Sequence, residues 1–306
     1  TATAGSIVDN DTNSSVTSAT GLADLNANGT IGSGAAPINT TVATLDIAAG
    51  GDVVVNETDA VELTGVNITG GGGLDLDAGG AISDAAGTTI AVAGNADFAD
   101  GGGAGITLGD NGGDTTNFGT LTFNSTGAVN IAEDSATELS GANTASPLTL
   151  NSSGALTNAV AASLTVTGNA DLTGSSITLG DQGADAMNFD SLTLNSAGTA
   201  EVQEDSATVL SGTGTVDALI LSSTGSITDD GTADLTVTNN AALSGSSMTL
   251  DDTYAFGSLT FTSGGAVIID ENDGTVLSGT SAALSLDLAS GGAIVDDGTA
   301  DVTVTG

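Results

Sequence analysis

The chain repeats itself at two nested periods, and self-similarity of this kind restricts it to folds in which one supersecondary unit is stacked many times. ADLTVTNNA around Leu235 matches ASLTVTGNA around Leu164, TIAVAGNA around Ile90, DVTVTG around Val302 and, faintly, TATAG at Thr1. These phrases mark long repeats 1–89, 90–163, 164–234 and 235–301, with the start of a fifth at 302–306. Each long repeat divides again at strands of the type Leu-x-Leu. In the third the starts are Leu164, Leu192 and Leu219, and the next repeat opens at Leu235. The second has them at Ile90, Leu121 and Leu148, and the fourth at Leu235, Leu259 and Leu286. In all three, the spacing from the second start to the third is the same, and so is the spacing from the third to the next repeat. The first interval alone absorbs the change in length. The first repeat is looser, and its surplus at 14–37 reads as a loop insertion or a small extra layer.

Apolar residues alternate with Thr, Ser, Asn and Asp in short runs closed by Gly, Asn and Asp, which is the pattern of strands with one buried face. The division predicts about twelve units of about 25 residues. The expected fold is therefore all-β, a right-handed parallel β-helix of about twelve coils over 1–306, one continuous solenoid with coils stacked ~4.8 Å apart. The alternative is a string of tandem β-sandwich domains. Against it stand the threefold subdivision of every repeat and the lack of linkers. With no Trp, one Tyr and six Phe, a wide sandwich core would also be hard to fill.

Charge removes most chemistry. The chain has no Lys, Arg, His or Cys against 38 Asp and Glu. No cation is available to neutralise phosphate, so neither nucleic acid nor an anionic membrane surface is an expected partner. Thiolate and imidazole metal sites are excluded, which leaves hard cations with oxygen ligands. No apolar run is long enough for a membrane helix. The start at Thr1 reads as a mature or excised piece.

LTLNSSGALT, LTLNSAGTAEV and LILSSTGSITDDG resemble the repeat units of filamentous haemagglutinin-type adhesins and of giant bacterial β-strand-repeat surface proteins. The resemblance runs over essentially the whole chain. It implies secretion, a right-handed β-helix, and a role in attachment, a surface coat or an extracellular fibre.

Paired acids recur as Glu57 with Asp59, Glu133 with Asp134, Glu204 with Asp205 and Glu271 with Asp273. Neighbours on a strand point to opposite faces, and a fourfold feature suits a structural motif better than one active site, so no enzyme is expected. The stretch from Asp9 lacks the glycine and terminal glutamate of an EF-hand loop. Asn124, Asn151 and Asn195 read as turn residues. Aligning the units puts acids after the second strand of nearly every coil: Asp110, Glu133, Asp134, Asp181, Glu204, Asp205, Asp229, Asp230, Asp251, Asp252, Glu271, Asp273, Asp296 and Asp297. That alignment predicts one acidic edge where a divalent cation, calcium, bridges adjacent coils; screening by monovalent salt is the alternative.

The expected function is structural, a segment of an extracellular filament, surface fibre or coat on a bacterial cell. The alternative is an adhesin segment binding a glycan or cell-surface ligand. With no capping segment at either end, the expected partner is a second copy end to end or the continuation of a longer parent chain.

Overall fold

The computed structural model describes residues 1–9 and 15–306. Residues 10–14 lie outside the described residues; they include Ser14, where the expected insertion begins, and part of the stretch read from Asp9. Among the described residues there are 29 strands and no helix. The chain divides into two compact units, Thr1–Gly154 and Ala155–Gly306, and each is described by itself.

Both units are β-solenoids. Side chains alternate between core and surface, as in Val53–Glu57 and Leu148–Ser152, where every second residue is buried. A strand cannot pair in parallel with its sequence neighbour across a tight hairpin, so its partner arrives one full turn later. In the first unit Ile7, Ile31, Val53, Leu74, Ala96, Leu121 and Leu139 stack in that order, each one turn of chain after the last. In the second, Leu156, Ile177, Ala200, Leu219, Ala241, Leu259, Leu277 and Asp296 do the same. Stacked Leu, Ile, Val and Ala side chains fill each core. Aromatic rings are few but fully used, with Phe98, Phe123, Phe261 and Tyr254 among the largest side chains completely withdrawn from water.

The fold class is thus the expected β-solenoid, but the coils are shorter and more numerous, about fourteen turns in place of twelve. The reason is visible in the repeat 235–301. It holds ten paired segments, at 235–237, 241–243, 248–250, 254–256, 259–261, 267–269, 275–277, 280–283, 285–290 and 294–296. With three segments to a turn, one long repeat makes three turns and one strand more.

Three further differences follow from the ladders. The stretch expected as an insertion contains the strand Val16–Ala27, which pairs in parallel with Ile38–Ala49 from Val16 opposite Thr40 to Ala27 opposite Ala49. Within the described residues the surplus is therefore a coil of the solenoid, the extra layer of the two readings. Asn124, Asn151 and Asn195 are not turn residues: they sit inside Thr115–Ser125, Leu148–Ser152 and Ala186–Glu204. The Asn that does make a corner is the one in the GNA or NNA phrase. At Asn95, Asn169 and Asn240 the parallel register slips, and the side-chain oxygen accepts hydroxyl protons, from Ser191 and Thr193 at Asn169 and from Ser258 and Thr260 at Asn240.

Candidate functional site

A long repeat that exceeds three turns by one strand must leave one strand uncovered, and the paired acids are found at that place. In the fourth repeat, segment 254–256 lies on 235–237, but nothing returns over it. The chain instead places Leu277 opposite Leu259 and, after a turn at Gly279 with φ of 60°, opens a new stack with Ala282 opposite Thr262. The backbone groups left over are served locally. Phe256 N–H donates to Glu271 at 3.3 Å, and Asn272 N–H donates to the Tyr254 carbonyl at 2.8 Å.

The same device recurs in every long repeat. Phe189 N–H donates to Glu204 at 3.0 Å and Asp205 N–H to the Met187 carbonyl at 2.9 Å, while Met187 N–H donates to the Asp205 carboxylate. Phe118 N–H donates to Glu133 at 3.0 Å, and Asp134 and Thr116 exchange the same two bonds. Val42 N–H donates to Glu57 at 3.1 Å, and Thr58 N–H to the Thr40 carbonyl at 3.0 Å. Each buried glutamate is a side-chain substitute for the missing strand. This assigns a structural role to Glu133, Glu204 and Glu271, and to Asp134 and Asp205 beside them.

Burial raises the carboxyl pKa at all four caps, with hydrogen-bond donors pulling back. Glu133 has the hydroxyls of Ser135 and Thr137, and Glu204 those of Ser206 and Thr208. Glu271 is pushed highest, from 4.5 to about 7, by burial first and by the charge of Asp273 as well. Asp273 stands where the caps at Glu133 and Glu204 have serine, and one Glu271 oxygen is buried without meeting a hydrogen-bond partner. Replacing Asp273 with Ser adds a donor and removes a like charge. The variant Asp273→Ser is expected to unfold at a higher temperature at pH 8, by roughly 1 kcal/mol of stability. A direct reading is the Glu271 titration by NMR, which should move down from about 7.

The acids do not share one edge. In the second unit, Asp181, Glu204 and Asp205 end strands of the stack through Ile177, Ala200 and Leu219. Asp229, Asp251, Asp252, Glu271 and Asp273 end strands of another, through Thr208, Ile227, Met248 and Val267. Asp296 returns to the first of these, opposite Leu277. In the first unit Asp110 and Glu133 follow Ile106 and Val129, on the stack that carries Val61 and Ile82, with Asp84 after Ile82. The single acidic edge is corrected to short ladders, because every cap moves the motif to a different face.

Two places bring three carboxylates together with oxygens within 4.8 Å of one another: Asp229 with Asp251 and Asp252, and Asp84 with Asp110 and Asp114. Asp230 and Asp297 are held by their own turns, each accepting from a threonine two residues on, which lowers their pKa. The sequence reading missed Asp84 and Asp114. ISD at Asp84 is the counterpart of ITD at Asp229, and GDNGGD carries its second acid as GDQGAD does at Asp185. It also missed the outward ladders Asp24 with Asp46 and Asp75 with Asp97. Burial, then the neighbouring charge, raises Asp46, Asp75 and Asp97.

A family model described as repeats of unknown function (DUF5649) matches residues 50–124 and 126–193. The match supports a repeat architecture and makes no connection to haemagglutinin-type adhesins. No curated protein and no solved structure matches the chain.

Proposed function

We propose that this chain is a structural segment of an extracellular filament, surface fibre or coat, grown by stacking β-coils, in which its carboxylate pairs serve the backbone and perform no catalysis. One observation carries the reading. Residues 286–305 repeat 219–238 at fourteen of twenty positions, so the two stretches form the same coil. The internal copy is covered by the coil that follows it, with Ile227 opposite Met248 and Val237 opposite Phe256, and Ile227 is 0% and Val237 1% exposed. Coils of this repeat therefore stack on one another by parallel strand pairing. The resemblance of the repeat phrases to bacterial surface proteins supports a place outside the cell. Calcium enters this reading only as a stabiliser. Electron microscopy and light scattering on the purified chain test the proposal. Uniform fibres that lengthen with concentration support it. Saturable binding of a glycan or surface protein by particles that never lengthen supports the adhesin reading in its place.

A further inference from the structure

We propose that Asp84, Asp110 and Asp114 hold one calcium ion, with the buried Thr116 hydroxyl turned toward it. The long repeats supply an internal comparison, because the position of Asp84 recurs as Asn158 and as Asp229. At Asp229 the chain satisfies the carboxylate itself. One oxygen accepts the N–H of Asp251 at 2.8 Å, the N–H of Asp252 at 3.2 Å and the Tyr254 hydroxyl at 3.1 Å. At Asn158 the amide does the same work. Its oxygen accepts the Gly180 N–H at 2.9 Å, and its NH2 donates to the Asp185 carboxylate at 2.8 Å and to the Ala159 carbonyl at 3.0 Å.

Asp84 has neither arrangement. It is 6% exposed, and its oxygens share one backbone donor, the Gly109 N–H, at 3.2 and 3.3 Å. Asp114 is the counterpart of Asp185. Its oxygens accept from the N–H groups of Gly87, Thr88 and Asn111, which pins the loop, but no side-chain amide faces it as Asn158 faces Asp185. Asp110 accepts from the Asn111 amide at 2.9 Å and completes the cluster. Three carboxylates are thus gathered where neither an amide like that of Asn158 nor a hydroxyl like that of Tyr254 meets the buried acid, Asp84.

Thr116 points independently to a ligand. It occupies the place of Tyr254, whose hydroxyl reaches Asp229, so a side chain at this position is directed at the cluster. Threonine is too short to repeat that contact. Its hydroxyl is completely buried, has no hydrogen-bond partner, and lies 2.9 Å from where a Cβ on Gly109 would stand, beside the N–H that Asp84 accepts. An oxygen-seeking ion with tolerant geometry fits such a set, because calcium accepts carboxylate, hydroxyl and water oxygens in irregular shells of six to eight.

Calorimetric titration of the folded chain with calcium chloride at pH 7.5 and fixed ionic strength tests this. One saturable site is expected, with a thermal midpoint that rises with calcium. Asp84→Asn copies the natural Asn158 and is expected to fold, as its midpoint in chelator will show, while binding at least tenfold more weakly. Asp229→Asn, on the self-satisfied counterpart, is expected to bind as the wild type does. Unsaturable uptake by the wild type, wild-type affinity in Asp84→Asn, or equal loss in both variants would overturn the proposal.

Discussion

Raising the pH from 5 to 8 at low salt is expected to lower the unfolding temperature by at least about 10 °C. This is the reverse of ordinary acid denaturation, where paired carboxylates are lost as they protonate. Here the buried acids have raised pKa values, so the folded state holds protons more tightly than the unfolded chain. Their contribution is complete below the unfolded pKa and is lost as the pH climbs to the folded one. For Glu271 the window runs from 4.5 to about 7, and for Asp84 from 3.8 to about 6. Each full shift is worth at most about 3 kcal/mol, less where water screens the carboxylate, and about half of the Asp84 share is already lost at pH 5. Glu57, Glu133 and Glu204 shift in the same direction through burial. With no Lys, Arg or His, no side chain supplies a compensating positive charge. The exposed Asp230 and Asp297 have lowered pKa values and oppose the trend only below pH 3.8. For a chain of this size each kcal/mol moves the midpoint by roughly 2–4 °C. Thermal unfolding followed by circular dichroism across this range checks the sign. Glu271→Gln should flatten the part of the curve between 4.5 and about 7.

Glu204→Ala should destabilise the chain by about 3–5 kcal/mol, whereas Glu204→Gln should stay within about 1 kcal/mol of the wild type at pH 8. Alanine leaves the Phe189 N–H at the uncovered strand with no acceptor and strips the fully buried Thr208 hydroxyl of its partner. It also opens a void beside Phe189. Glutamine keeps an acceptor for the Phe189 N–H and removes the cost of a buried charge. The ordering of the two midpoints in urea is the informative result. Equal losses would mean that the carboxylate, and not its place as a strand substitute, matters at this corner.

The fold class was legible because Leu-x-Leu alternation survives in every long repeat and because no other element competes with it. The number of turns was not. Segments that begin with alanine, at Ala96, Ala170, Ala200 and Ala241, fill the stack completely, each with 0% exposure. Their small side chains follow Gly-Asn, Asn-Asn or Ala-Gly-Thr and carry little of a strand's signature in sequence. TVTGNADL therefore reads as one strand and its ending, although the structure makes two paired segments joined by a register slip. The fourfold paired acids were recognisable as a structural motif. Their single edge was not real, because an alignment in whole thirds hides the extra strand that turns each repeat onto a new face. The Asp84 cluster escaped for a related reason, since its partners Asp110 and Asp114 lie a full coil further along the chain, in a different unit of the alignment.

Disulfide mapping reads that extra strand directly, because the chain has no cysteine of its own. The ladders place Glu201 opposite Ile220, with both side chains outside the core. Adjacent parallel strands bring such Cα atoms within the roughly 4.4–6.8 Å that a disulfide spans. The division into twelve units instead superposes the strand at Leu192 on the one at Leu219, which sets Thr193 opposite Ile220. Under mild oxidation the variant with cysteines at 201 and 220 is expected to close rapidly and quantitatively, and the variant with cysteines at 193 and 220 to stay reduced. Closure of the 193 and 220 pair with the other left open would contradict the three-turns-and-one-strand repeat on which this account rests.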